Sequence, residues 1–467
     1  MVDSPYRSVN PATGELLQIF ELHGDSEAFD ALSRADVIFR DHWSRLTYTE
    51  RAAPIARAAQ LMRQRRDELA RLAALEMGKK FKEGLDEVEL SASILEYYAG
   101  NAEAMLAPTK VDSVQFDAWT ESSPLGVLIG IQPWNYPYYQ LARFAAPNLM
   151  SGNTILLKHA PGVPQCALAF ESVLAEAGVP AGVYTNLFLT NEQVGALIGD
   201  PRIKGVALTG SERAGEALAS QAGRHLKKNT MELGGSDAFI VLADADLNAV
   251  IPLAVGGRVG NCGQTCIGAK RFVVVGDQYD SFLQAFTRAL SELKAGDPQD
   301  PSTDVGPLSS TGAMELLLSQ VREAVNHGAT LVCGGTRIGS AGAFVAPGIL
   351  ANVARDNPAY FPEFFGPVAM IFRARDDEEA LAIANDSPFG LGGSVYSTNI
   401  EHAKAVASRM RTGMVFINYP SITAPDLPFG GIDRSGYGKE LSKDGIREFL
   451  NRKLVCIAPS TSFSSVA

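Results

Sequence analysis

Between Ser26 and Tyr98, apolar and small residues recur every three or four positions with Arg and Glu between them, as in RAAPIARAAQLMRQRRDELARLAALEM. That period predicts a layer of amphipathic helices with a solvated outer face, and because the stripe holds no heptad it does not predict a coiled coil. From residue 125 the pattern changes to short apolar runs alternating with amphipathic stretches. Strands are predicted over 127–131, 154–158, 184–189, 203–208 and 228–232, with helices over 138–150, 165–177, 192–198 and 211–223. Such a series calls for a parallel sheet covered on both faces. A second α/β series begins at 238–241 and runs to about Ile417, with strands near 272–275 and 414–417; Gly296 to Pro307 (GDPQDPSTDVGP) is a loop. In this architecture ligands sit beyond the carboxyl ends of strands, so the residues that follow each strand carry the chemical information.

Composition narrows the picture. The 467 residues are 46% hydrophobic and 20% charged with a formal net charge of −11, which suits a globular chain and disfavours a nucleic-acid partner. No apolar stretch is long enough to span a membrane, and no secretory signal opens the chain. Five scattered cysteines fit a reducing compartment, so a cytoplasmic location is expected. The polar segment 112–123 and the tail after Phe449 are read either as pairing with another subunit or as an ordinary edge hairpin and a frayed end.

Four groups of residues carry candidate chemistry. Cys266, in NCGQTCIGAKR, is either a reachable thiol nucleophile or a packed cysteine. Cys262 lies four residues earlier, a spacing that brings two thiols together on a helix; packing is the simpler role, and no metal site is expected because further ligands are not clustered. Glu232 ends an apolar strand in MELGG, as a general base raised by desolvation or as a cap or salt-bridge partner. Asn135, in PWNYP, is either an oxyanion donor or a turn residue bonding locally. Thr209-Gly210-Ser211, with Gly215, joins a strand to a helix as a phosphate site or a plain N-cap. The six histidines are dispersed, and no H-E-x-x-H, Walker-type or G-x-S-x-G motif is present.

Taken in order, the segments NPATG (from Asn10), PWNYP, LLKHAP, LTGS, MELGG, GQTC, PEFFGP and PFGGIDRSGYGKE resemble the aldehyde dehydrogenase superfamily over nearly the whole chain. The resemblance implies two Rossmann-like α/β lobes with parallel sheets and a small oligomerisation extension. Residues 1–111 and 124–233 would form the dinucleotide-binding domain, 234–430 the catalytic domain, and 112–123 with 447–467 the oligomerisation hairpin and tail of a homodimer or homotetramer. It also implies roles: Cys266 as nucleophile, Glu232 as general base, and Asn135 with the Cys266 backbone N–H as oxyanion hole. Lys158 and Glu363 would bind ribose hydroxyls, Ser211 the pyrophosphate and Phe365 the nicotinamide ribose. Ile131, Pro133, Trp134, Gly195, Thr209, Gly210 and Leu233 complete the implied cofactor contacts. The thiolate would add to an aldehyde, the adduct would collapse to a thioester with hydride leaving for the nicotinamide, and water activated by Glu232 would release the acid.

Within the family, LLKHAP, ELGGSDAFIVL and GKELSKDGIREF are most similar to members acting on succinate semialdehyde. Arg143, eight residues after Asn135, falls where those members place an arginine for the distal carboxylate, and Thr423 falls where a hydroxyl assists; otherwise Arg143 pairs with an internal acid on its own helix. Most members carry proline after the cofactor-binding lysine and, three positions beyond it, a glutamate or a small polar residue; here these positions are His159 and Pro161. With no carboxylate at 161 to repel a 2′-phosphate, NADP is expected to be accepted, with NAD remaining possible. The alternatives are a neutral, amino or CoA-acylating aldehyde substrate, or a non-catalytic binding protein on the same fold.

Overall fold

The computed structural model describes residues 6–458, so the start of the expected first domain (1–5) and the end of the expected tail (459–467) lie outside the described residues. The helical layer consists of Asp25–Asp41, Tyr48–Gln64, Arg66–Met77 and Phe81–Met105. Local chemistry sets its breaks. Thr47 and Glu50 form a reciprocal capping box, and Gly78, in the left-handed region at φ 77°, ends the third helix.

The first α/β series forms a six-stranded sheet in the order Gly436–Tyr437, Lys228–Glu232, Ile203–Thr209, Val127–Gln132, Thr154–His159, Tyr184–Asn186. All neighbours are parallel except the outermost pair, where Gly436 lies opposite Glu232. The expected strand 184–189 stops at Asn186: the Leu187 amide still reaches the Leu157 carbonyl at 2.8 Å, but the next two amides find other acceptors. Phe188 donates to the His23 ring and Leu189 to the Tyr6 hydroxyl, so the buried run leaves the ladder.

The second series forms a seven-stranded sheet in the order Thr330–Cys333, Gly348–Ala351, Val368–Ala374, Ala269–Val275, Asp237–Val241, Gly393–Tyr396, Phe416–Ile417, antiparallel only between the first two. Each sheet has its own apolar core, one centred on Phe239, Phe272 and Phe372, the other on Trp43, Phe144 and Phe170. A third sheet orders Leu450–Ile457, Asp117–Pro124 and Thr109–Val111. Asp117–Pro124, most of which falls in the segment 112–123 read from sequence either as pairing with another subunit or as an edge hairpin, is the central strand, paired over its whole length with Leu450–Ile457. Leu450–Ile457 is the long outer edge and exposes Leu454 and Ile457. Among the described residues no helix is long and apolar enough to cross a membrane.

Candidate active site

The helix Leu247–Val259 ends at Gly260, and the next three residues, Asn261 (φ 53°), Cys262 (φ 54°) and Gly263 (φ 72°), all lie in the left-handed region. Two of them are not glycine, so the conformation must be held from outside. Arg258 donates to the Gly263 carbonyl at 2.7 Å, the Asn261 amide N–H reaches Glu83 at 3.1 Å, and Gln264 Nε2 returns to the Asn261 carbonyl at 3.2 Å. Gly263 is indispensable for a second reason: a Cβ there would stand 2.4 Å from the Gly366 carbonyl. This reversal carries Cys266 onto the loop before strand Ala269–Val275. Cys262 and Cys266 therefore do not share a helix. Cys262 is buried in the core of the seven-stranded sheet, whereas half-buried Cys266 packs against the core that holds Trp43, Phe144 and Phe170; both are free thiols.

Cys266 lines a cavity of about 310 Å³ together with Tyr136, Gln140, Asn261, Thr423 and Phe429. Asn135 is buried beside it: its amide donates to the Gln264 carbonyl at 3.0 Å, and its own carbonyl accepts from Asn261 at 2.8 Å. The turn bearing Asn135 is thus tied to the loop bearing the thiol. Burial pushes the Cys266 thiol up to about 11, opposed by the charges of Arg143 and Lys270. Lys270 donates to the carbonyls of Thr265 (2.8 Å) and Cys266 (2.7 Å) and pairs with Glu363 at 2.9 Å. Gly235 completes the junction, since a Cβ there would meet the Cys266 carbonyl at 2.5 Å, and its N–H donates to Glu363 at 3.2 Å.

Glu232 is buried, and neither of its carboxyl oxygens has a hydrogen-bond partner among the described residues. Burial and the nearby Glu440 carboxylate hold its pKa well above the ordinary range, against the pull of Arg143. It is not part of the cavity wall that holds Cys266; its Oε1 lies 2.8 Å from where a Cβ on Gly430 would stand. Gly430 adjoins Phe429, which does line that wall.

Arg143 departs from its sequence reading. It is fully buried, ion-paired with Glu440, and donates to the Thr209 hydroxyl at 2.9 Å and the Tyr139 hydroxyl at 3.1 Å, with its guanidinium over the Phe429 ring. It does not line the cavity, so it is not placed to grip a substrate carboxylate there, and its acid lies far along the chain rather than on its own helix. Thr423, by contrast, does line the cavity.

The cofactor candidates gather at the carboxyl ends of the six-stranded sheet. Ile131 and Pro133 lead from strand Val127–Gln132 to half-buried Trp134, whose ring meets Phe365 edge-on at 5.7 Å. Lys158 is buried near the end of strand Thr154–His159. Gly210 donates to the Glu232 carbonyl at 2.9 Å, and exposed Ser211 caps helix Glu212–Arg224 through Ala214 at 3.4 Å. Leu233 lies against Gly215, where a Cβ would clash at 2.7 Å, and Gly195 lies close beside Gln221. The open helix N-terminus, small turn and flanking aromatic pair fit a dinucleotide. Among the described residues no cluster of His, Cys, Asp and Glu is placed to hold a metal ion.

Sequence reasoning did not single out Lys270, Glu440, Asn261 or Gln264.

The two sheets, the thiol at their junction and the adjoining amide define a class of enzyme: the model of the aldehyde dehydrogenase family matches residues 2–455, and the chain belongs to that family. The chain is 51% identical over 98% of its length, and 96% of the relative's, to the succinate-semialdehyde dehydrogenase [NADP(+)] of Deinococcus radiodurans. It is 43% identical to succinate-semialdehyde dehydrogenase [NADP(+)] 1 of Mycobacterium tuberculosis strain H37Rv, over 97% of this chain and all of that one. The succinic semialdehyde dehydrogenase of Streptococcus pyogenes, solved with NADP+ as the cofactor, superposes with a TM-score of 0.96 at 44% identity, covering 97% of this chain and 100% of that one.

Proposed function

We propose that this protein oxidises succinate semialdehyde to succinate with NADP+. The observation that carries the reading is the half-buried Cys266 on the cavity wall, with its loop tied to the Asn135 turn on one side and to Lys270 on the other. The names and high identity of the relatives support the substrate and the cofactor. The absence of a carboxylate at Pro161 supports acceptance of the 2′-phosphate.

In this reading Cys266 attacks the aldehyde carbon, and its sulfur must first lose its proton. The two neighbouring cations favour that loss against burial. Asn135, with one amide hydrogen engaged by Gln264, offers the other to the developing oxyanion beside the Cys266 N–H. NADP+ would supply the hydride acceptor; Ser211 and Gly210 would hold its pyrophosphate, Lys158 and Glu363 its ribose hydroxyls, and Phe365, packed edge-on against Trp134, its nicotinamide ribose. Glu232, untethered and raised, takes the proton of the hydrolytic water; Gly430, with no side chain, leaves the room this needs. Thr423 and Gln140 meet the substrate's distal carboxylate, with Arg143 contributing its field rather than a direct bond. Three acids, Glu83, Asp86 and Glu87, line the cavity; Glu87 is paired with Lys79, and Glu83 lies 3.3 Å from Lys80.

The outer strand Leu450–Ile457 supports assembly into a homodimer, or a tetramer of dimers, because it offers an unpaired edge among the described residues. The free thiols among the described residues support a cytoplasmic location.

The test is NADPH formation at its absorbance band with succinate semialdehyde and butanal, each with NADP+ and NAD+. Succinate semialdehyde with NADP+ is expected to give the highest kcat/KM, and Cys266→Ala to abolish turnover. Near-native turnover by that variant would overturn the mechanism, and preference for butanal would overturn the substrate.

A further inference from the structure

The segment Pro133 to Pro137 holds Asn135 in place but is poor in bonds of its own, because its two prolines have no N–H to donate. Its two ends converge on one side chain. His159, the last residue of the neighbouring strand and fully buried, places Nδ1 3.1 Å from the Gln132 carbonyl and Nε2 3.0 Å from the Pro137 carbonyl. Gln132 precedes the segment and Pro137 closes it, so the imidazole spans its mouth. Other contacts act inside the turn and beyond it: the Asn135 amide donates to the Gln264 carbonyl at 3.0 Å, Asn261 holds the Asn135 backbone carbonyl, the Tyr136 hydroxyl lies 3.0 Å from that of Thr265, and Glu87 accepts the N–H groups of Tyr138 and Tyr139 at 2.7 and 3.0 Å; none of these spans the two ends as His159 does.

Burial and the charge of Lys158 push His159 down to about 4, while the two carbonyls pull the other way. The ring is therefore neutral at working pH; it donates to one carbonyl and stands as a wedge against the other. Either tautomer keeps the ring between the two ends, and an aromatic ring has no slack along that line.

We infer that His159 is a positioning residue for the reaction: by bracing both ends of the 133–137 turn, it fixes the direction in which the Asn135 amide points at the oxyanion. The inference rests on the reading of Asn135 as an oxyanion donor. A donor displaced by a fraction of an ångström loses much of its effect on a developing charge, whereas ground-state binding of cofactor scarcely changes.

A double-mutant cycle tests this. His159→Ala and the gentler His159→Gln are made in the native chain and in Asn135→Ala, and kcat and KM for succinate semialdehyde with NADP+ are measured alongside the alkylation rate of Cys266 by iodoacetamide. In the native background His159→Ala is expected to lower kcat about tenfold, and His159→Gln about threefold, since its amide still reaches one carbonyl. KM for NADP+ and the alkylation rate should stay within about twofold, because neither uses the oxyanion hole. In the Asn135→Ala background the same substitutions should cost less than about twofold. Equal losses in both backgrounds, or a loss confined to KM, would overturn the proposal; should His159→Ala fail to fold, the His159→Gln cycle decides alone. If Asn135→Ala by itself left kcat near native, the oxyanion reading would be the one that failed.

Discussion

Two cation–carboxylate pairs act on the thiol, one from each lobe, and they do different work. Lys270 and Glu363 spend their hydrogen bonds on backbone: the carbonyls of Thr265 and Cys266 and the N–H of Gly235. Arg143 and Glu440 spend theirs on side chains, the hydroxyls of Thr209 and Tyr139, and their charges reach Glu232. Neither pair is evidence of stability in itself, because desolvation consumes most of the attraction between buried ions. The first fixes where the sulfur-bearing loop lies; the second acts on the Glu232 carboxyl from both sides, Glu440 adding to the rise that burial causes and Arg143 opposing it. Identical chemistry thus serves geometry in one place and charge in the other, and the neighbours decide which.

The largest effect should come from removing the group on which the second pair acts. Glu232→Gln is expected to lower steady-state turnover by about 10²–10⁴, the usual contribution of a general base, while leaving a first-turnover burst of NADPH. A lost burst would place Glu232 in the earlier thiol step. The same variant carries a stability prediction. A carboxyl whose folded pKa lies above its unfolded value destabilises the fold as pH rises past that unfolded value, about 4.3. Glu232→Gln should therefore raise the thermal midpoint at pH 8 and leave it nearly unchanged at pH 4; no gain at pH 8 would mean that the carboxylate is compensated.

Next comes the geometric pair. Lys270→Met removes the donor to two carbonyls of the thiol loop and one of the cations that favour the thiolate. Turnover is expected to fall about 10²-fold, and Cys266 alkylation at fixed pH should slow with it. If alkylation held steady while turnover fell, Lys270 would be acting on geometry alone. Arg143→Met should cost less activity, about tenfold, but shift its pH dependence: with the opposing charge gone, the Glu232 pKa rises further, and the acid limb of kcat against pH moves upward. Stability should fall by about 3–5 kcal/mol because Glu440 is left buried and unpaired. An unmoved acid limb would separate Arg143 from the base and dissolve the contrast between the two pairs.

Much of this was legible in the sequence, for identifiable reasons. The alternation of apolar runs and amphipathic stretches located the strands and helices of the first lobe within a few residues, because a parallel sheet buried on both faces leaves a strong period. Motifs in their order along the chain pointed to Cys266, Asn135 and Glu232. Hidden were features fixed by residues remote in sequence. Asn261 and Cys262 carry no signal for a left-handed backbone, since that conformation is imposed by Arg258, Glu83 and Gln264. The end of the strand at Asn186 depends on a tyrosine and a histidine near the start of the chain. Arg143 was placed by its spacing from Asn135, which gives its helix position but not the direction of a long side chain; Glu440 supplies that direction.

The smallest predicted effect bears on what Arg143 leaves undone. With its guanidinium turned to Glu440, the cavity wall offers a distal carboxylate only neutral donors, among them Thr423 and Gln140. A hydroxyl bonded to a carboxylate in a partly open cavity contributes about 1 kcal/mol, roughly fivefold in binding. Thr423→Val keeps the shape of the side chain and removes the donor. KM for succinate semialdehyde should rise about fivefold with kcat unchanged, and KM for butanal, which has no acid to lose, should stay the same or fall slightly as the wall becomes apolar. Were both aldehydes affected alike, Thr423 would merely shape the cavity, and the carboxylate would have to be met through Arg143 after all, by a guanidinium that releases Glu440 when substrate enters.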